Sequence, residues 1–231
     1  QKAIKTESNI PKIDPKIINT LSDLNSLLQK LMTFKTLDMT VAIDTETTSL
    51  NPFQAELVGI GFCWGLMEKD IAYIPIGHIS EDGLLSPESK SQLKLEIVIN
   101  TLSDWLNSNN HPKVIQNAKY DRLILLRHGI NLQGVVMDTL LADYILDANS
   151  KHSLEEISNR EFGFTPKKFN EVVGKGKNFS AVSIKEASQY CGMDVYLTKR
   201  IYIRLKQKLQ ERGSELLKLL EKVEQPLEKV L

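Results

Sequence analysis

What most narrows the fold of this chain is a change of rhythm. Residues 41–44, 56–64 and 71–76 are three successive strand-like runs separated by short Asn/Pro and Glu/Lys/Asp turns, and they predict an antiparallel meander. From there on, strands and helices alternate. Residues 88–106 read as a helix, 113–116 as a strand, 120–128 as a helix, 135–137 as a strand, and 139–146 as a helix with Asp138 at its N-cap. Such alternation adds parallel strands to the meander, so the expected fold is α/β, a mixed sheet flanked by helices. Ahead of the meander, Ser22-Asp23 opens a helical pattern through Leu24, Leu27, Leu28 and Leu31, and a long helix follows over residues 184–209.

Three short pieces of this pattern carry the chemistry. In Asp44-Thr45-Glu46 the two-residue period of a strand points both acids out of one face while Thr45 points away. Asp121 follows Asn117 by four residues, and Asp194 follows Tyr190 by four. On a helix, Tyr190 and Asp194 therefore project from one side about a turn apart.

Composition sets limits without choosing a function. With 231 residues, 42% hydrophobic and 25% charged, the chain can bury one good core. No apolar run reaches the roughly 20 residues of a membrane helix, and the first residues hold no apolar leader. The expected location is the cytoplasm, without a membrane partner. Basic and acidic residues balance at 29 each, so overall charge does not bind duplex nucleic acid and any such contact must be local. Cys63 and Cys191 have neither zinc spacing nor disulfide density and read as buried thiols. His78, His111, His128 and His152 show no ligand spacing and are expected at surface or loop positions.

Residues 1–16, polar and holding Pro11 and Pro15, read as a linker, with the domain over 17–209 and a further helical stretch over 210–231. The sequence begins at Gln1 and stops at Leu231 inside a helical pattern, which reads as a piece of a longer polypeptide, expected to be monomeric.

The runs from Val41 to Leu50, from Gln116 to Arg122 and from Tyr190 to Asp194 resemble the three exonuclease motifs of the DEDD superfamily. Gly174-Lys175-Gly176-Lys177-Asn178, with Phe169 shortly before it, is similar to the segment between the second and third motifs in the 3′–5′ proofreading exonuclease domain of bacterial family A DNA polymerases, the DNA polymerase I type. Val223-Glu224-Gln225-Pro226-Leu227 resembles the lead into that family's polymerase domain, so residues 210–231 are expected to precede such a domain. The resemblance covers about 17–209. It implies a ribonuclease-H-like sheet of three antiparallel strands extended by parallel ones. Gln189 stands where histidine-type relatives carry His, and Tyr190 stands four before Asp194, which marks the tyrosine subtype. All four acids are intact, so an active enzyme is expected.

Like charges gathered at one spot raise each other's pKa, and a hard divalent cation removes that cost. Oxygen-only ligands favour two ions of Mg²⁺ or Mn²⁺. One, held by Asp44, Glu46 and Asp194, would activate the attacking water; the second, held by Asp44 and through water by Asp121, would stabilise the leaving 3′ oxygen. Tyr190, whose unperturbed phenol titrates at about 10, is a poor base near pH 7 and is assigned to orienting the water. The expected reaction is hydrolysis of the terminal phosphodiester at a single-stranded or frayed DNA 3′ end, releasing nucleoside monophosphates. The resemblance further implies that Leu50 wedges against the last bases, that Phe169 stacks or packs near a base, and that Asn117 and Tyr120 contact the sugar-phosphate chain. Mismatched ends unstack at least cost, which gives preference without base reading.

Plainer readings exist for each residue. An isolated D-x-E is usually a solvated strand end, and only three motifs in order reverse that. Leu50 and Phe169, outside a motif, would more often be core. Asp138 reads as a helix cap instead of a fifth ligand. Residues 174–178 lack a P-loop ending and read as a basic flexible loop. Two rival functions are a 3′ RNA-processing exonuclease of the ribonuclease D type, against which residues 174–178 and Pro226 argue, and a catalytically silent nucleic-acid-binding or spacer module, against which the intact acids argue.

Overall fold

Val41, Ala42 and Ile43 open an inner strand of a six-stranded sheet in the computed structural model, which describes residues 12–79, 92–175 and 177–230. The strands are β1 (Lys16–Ile17), β2 (Val41–Thr47), β3 (Leu57–Cys63), β4 (Ile71–Pro75), β5 (Lys113–Ile115) and β6 (Val135–Asp138). Across the sheet they run β1-β4-β3-β2-β5-β6. β2, β3 and β4 are antiparallel neighbours, while β5 and β6 extend β2 in parallel and β1 lies parallel to β4. This is the ribonuclease-H-like mixed α/β sheet that the rhythm and the resemblance predict. β1 starts at Lys16, inside the stretch read as a linker, and Ile13 is buried; two paired residues are too few to show a period. Residues 1–11 of that stretch, 88–91 of the helix expected over 88–106, Gly176 and Leu231 lie outside the described residues.

The helices are α1 (Leu21–Leu31), α2 (Leu95–Leu106), α3 (Ala118–Leu126), α4 (Thr139–Leu146), α5 (Leu154–Phe162), α6 (Phe169–Val173), α7 (Ile184–Arg212), α8 (Ser214–Leu219) and α9 (Gln225–Glu228), with a π-turn over Leu220–Glu224. The strand period sorts the core into layers. Val41 and Ile43 face a cluster with Leu24 and Leu31 of α1, Trp105 of α2 and Ile124 of α3. Ala42 faces the opposite cluster with Val195, Ile201 and Leu205 of α7 and Ala142 of α4.

α7 is fixed at both ends by local chemistry. Ser183 Oγ accepts from Glu186 N at its start, and Gly213, at φ 108°, stops it in a conformation that favours glycine. Gly192 lets this helix press on the N-terminal segment, since a Cβ there would come within 2.6 Å of Pro15. After α8 the chain turns back to the sheet. Gln225 Nε2 donates to Val135 O at 2.9 Å, and Glu228 takes both Arg122 Nε and Arg122 Nη2 at 2.9 Å.

Two histidines depart from the surface expectation. His78 and His111 are buried, at 3% and 4% exposure. Both lie in loops, as expected, but loops that dip into the core. His78 Nε2 lies 2.7 Å from the Tyr73 hydroxyl and its Nδ1 2.8 Å from Val182 O; His111 Nδ1 lies 3.0 Å from Phe34 O. Buried rings with such partners lose little by leaving water. His128 and His152 are partly buried.

Candidate active site

β2 carries the first two acids past the end of its apolar half. Asp44 pairs with Gly61 of β3 and Glu46 with Gly59, and the register shifts between Glu46 and Thr47. Their face meets α7. Thr45, on the alternate side, reaches α3, and its backbone N–H and Oγ1 both donate to Asp121 Oδ1, at 2.9 and 2.7 Å.

α3 begins unusually. Asn117 has φ 63° and caps nothing with its own side chain. Instead Asp138 accepts from Asn117 N at 3.0 Å and from Ala118 N at 2.8 Å, as well as from Leu140 N at 2.9 Å at the start of α4. One carboxylate thus caps two helices, and α3 is set so that Asp121 falls beside Asp44. The expectation that Asp138 is a cap holds on α4 and extends to α3.

The four acids lie in a setting that resists joint ionisation. Burial first, and then the charge of Asp194, push Asp44 up to about 8. Burial raises Asp194 to about 8, against the pull of a hydrogen bond with Tyr190. Glu46 and Asp121 are raised well above the ordinary carboxylate range, again by burial first and then by neighbouring acids. Glu46 is 5% exposed, and its Oε1 has no hydrogen-bond partner among the described residues. An orphaned carboxylate oxygen among three other acids is what a divalent cation would satisfy, so these residues fit the metal that the sequence predicts.

Tyr190 is half-buried beside Phe179, ring centroids 5.7 Å apart, and Phe179 stacks on Phe169 at 6.0 Å and 21°. Burial, followed by the Asp194 charge, moves its hydroxyl further above the ordinary tyrosine value. The Tyr120 hydroxyl is engaged too, donating to Ser49 O at 2.5 Å with Thr47 Oγ1 also at 2.5 Å. It braces the turn that presents Leu50, which is 85% exposed.

Asp44, Glu46, Leu50, Asn117, Tyr120, Asp121, Phe169, Tyr190 and Asp194 all line one open cleft of about 700 Å³. Thr47, Ser49 and Gln116, which lie inside the motif runs but which no spacing marks, line it as well, and so does Thr45, although the strand period turns it from the acids' face. The sequence marks Cys191 only as a buried thiol. It is buried, and its Sγ also lies 3.9 Å from Asp44 Oδ2, a contact between residues far apart in sequence that no spacing signals. Among the described residues no helix is long and apolar enough to cross a membrane.

A family model described as 3′-5′ exonuclease matches residues 15–210 of the chain. DNA polymerase I of Synechocystis sp. is 39% identical over 225 residues, covering 96% of this chain and 22% of its own length. DNA polymerase I of Borreliella burgdorferi is 32% identical over 217 residues, covering 93% of this chain and 22% of its own. The chain therefore spans about a fifth of the length of these relatives. Among solved structures, Escherichia coli RNase D, described as an exoribonuclease involved in structured RNA processing, has a TM-score of 0.69 at 17% identity, covering 94% of this chain and 50% of that one. The POL domain of Pol1 from M. smegmatis, in complex with DNA primer-template and dNTP, has a TM-score of 0.61 at 19% identity, covering 94% and 30%. At these identities the structural likeness is one of fold.

Proposed function

The chain belongs to the 3′-5′ exonuclease family, and from that premise we propose that it removes nucleotides from single-stranded or frayed DNA 3′ ends as the proofreading part of a DNA polymerase. Hydrolysis of the terminal phosphodiester would release nucleoside monophosphates. The observation that carries the reading is the convergence of four acids, Glu46 and Asp121 buried and Asp44 and Asp194 half-buried, in a cleft edged by an exposed leucine, with one Glu46 oxygen unpartnered among the described residues.

Family and acid cluster together imply a divalent metal. Two ions, Mg²⁺ or Mn²⁺, would supply Lewis-acid activation of water and charge stabilisation at the leaving oxygen. Asp44, Glu46 and Asp194 would hold the first and Asp44 and Asp121 the second, with Asp44 shared. Tyr190 is anchored to Asp194 and has its hydroxyl held protonated; it orients the attacking water by a hydrogen bond and takes no proton. Leu50 wedges under the last base, Phe169 supports a base through its stack with Phe179, and Asn117 and Tyr120 line the path of the sugar-phosphate chain.

Residues 17–209 form the exonuclease unit in this reading, and 210–231 lead toward a covalently linked polymerase domain, as in the relatives. The protein acts as a monomer in the cytoplasm. A ribonuclease D type activity shares the fold, but the sequence relatives favour DNA.

The test is digestion of a 5′-labelled DNA oligonucleotide beside its RNA counterpart. A ladder shortening from the 3′ end in Mg²⁺ or Mn²⁺, faster on DNA and stopped by chelator, is expected. Internal cuts, shortening from the 5′ end, a preference for RNA, or undiminished activity in chelator would each overturn the reading.

A further inference from the structure

Cys191 follows Tyr190 on α7, about 100° further round the helix, and packs in the cluster of Tyr73 and Phe179 while its Sγ reaches the acids of β2. Its Sγ lies 3.9 Å from Asp44 Oδ2. Sγ, one carboxylate oxygen of Asp44 and one of Glu46 all fall within 4.8 Å of one another. Two independent features show that this is a built arrangement. Glu46, only 5% exposed, leaves Oε1 without a partner among the described residues. Gly61, the register partner of Asp44, makes the room: a Cβ there would come within 2.4 Å of the sulfur.

Distance and donor chemistry agree on what the arrangement can hold. A gap of 3.9 Å is shorter than one zinc–sulfur bond of about 2.3 Å and one zinc–oxygen bond of about 2.0 to 2.2 Å laid end to end. A single ion can therefore touch both atoms. Mg²⁺ keeps to oxygen ligands and water and gains nothing from sulfur. Softer ions select thiolate.

We propose that Cys191 Sγ is a metal ligand, which makes the Asp44–Glu46 end of the cleft a mixed sulfur–oxygen centre that holds Zn²⁺, Co²⁺ or Cd²⁺ ahead of Mg²⁺. The proposal rests on the reading that Asp44 and Glu46 hold a cation. On binding, the S–H bond gives way to a sulfur–metal bond and the proton leaves to water. With Mg²⁺ the thiol keeps its proton and stays a neighbour. The centre thus distinguishes ions of equal charge by softness, and a soft ion competes for the position that a hard ion would take.

Titration of chelator-treated protein with Co²⁺, followed by absorbance, tests this directly. Sulfur ligation gives an intense near-ultraviolet charge-transfer band, distinct from the weak visible bands of cobalt in any ligand set. The band is expected in the wild-type protein and in Cys63→Ser, rising to one equivalent. It should be missing from Cys191→Ser, which keeps the visible bands. By calorimetry, Cd²⁺ affinity should fall about tenfold or more in Cys191→Ser, a change of about 1.4 kcal/mol, while Mg²⁺ affinity holds. The wild-type spectrum does not depend on any variant folding. Visible bands without the charge-transfer band in the wild-type protein would overturn the sulfur ligand and leave the cation site standing. No cobalt binding at all would overturn both. A band that survives in Cys191→Ser and is lost in Cys63→Ser would place the ligand elsewhere and end the proposal.

Discussion

Thr45 grips Asp121 across 76 residues of chain, with its backbone N–H and its Oγ1 on the same carboxylate oxygen. Asp121 itself lines the cleft. Strand β2 therefore carries two acids on one face and holds a third from the other. Thr45→Val keeps the shape and the backbone bond but removes the hydroxyl, and a hydrogen bond to a charged group is worth about 1.5 to 3 kcal/mol. We expect turnover in Mn²⁺ to drop about tenfold, with a higher metal concentration at half-maximal rate. Unchanged turnover would mean that the backbone bond alone positions Asp121.

Without metal, the acid cluster should make the protein less stable as pH rises. Asp44 and Asp194 titrate at about 8 in the folded state against an ordinary value of 3.8, so between those limits the native state binds more protons than the unfolded chain. Stability then falls with rising pH through that window and levels off above it. Melting in chelator should occur at lower temperature at pH 8 than at pH 5.5, and Mg²⁺ or Mn²⁺ should recover the loss at pH 8 by binding the native state. A melting temperature that rises across this range would show that the acids are not crowded in solution.

Asp44→Ala separates function from folding. Above about pH 8, where Asp44 carries its charge, removing it relieves repulsion among the acids while deleting the ligand assigned to both ions. Activity should disappear, and the melting temperature in metal-free buffer should hold or increase. Retained turnover would exclude Asp44 as the shared ligand.

Tyr190→Phe keeps the ring against Phe179 and discards only the hydroxyl. Single-turnover cleavage should slow by about tenfold or somewhat more, the scale of one hydrogen bond at about 1.4 kcal/mol. Asp194→Ala should cost far more. An unchanged rate in the phenylalanine variant would make Tyr190 a packing residue. A loss as deep as that of Asp194→Ala would give it a share in proton transfer despite the upward push on its hydroxyl.

Features written within a few neighbouring residues were legible in the sequence. The meander, the parallel extension and the Asp138 cap depend on local period; the four acids and Tyr190 are legible only as three short motifs taken in order, and the structure brings them into one cleft. Contacts between distant segments were not legible. The pairing of Lys16 with Ala72, the burial of His78 under Val182, the insertion of Phe179 between Phe169 and Tyr190 and the approach of Cys191 to Asp44 each depend on where two remote pieces settle. Asn117 falls between these cases. Its spacing from Asp121 is local, but its positive φ is stabilised from Asp138, 21 residues away.

The Arg122–Glu228 pair gives the C-terminal turn a mechanical grip on the cleft. Arg122 is the immediate neighbour of Asp121, and the two side chains of the pair are only 12% and 4% exposed. Stripping one partner from such a buried pair costs about 3 to 5 kcal/mol, so the tail and α3 resist separation. Tension on residues 225–228 consequently reaches the helix that carries an acid by two routes, through the Arg122 guanidinium next to Asp121 and through Gln225 Oε1, which accepts from the backbone N–H of the Asp138 that caps α3.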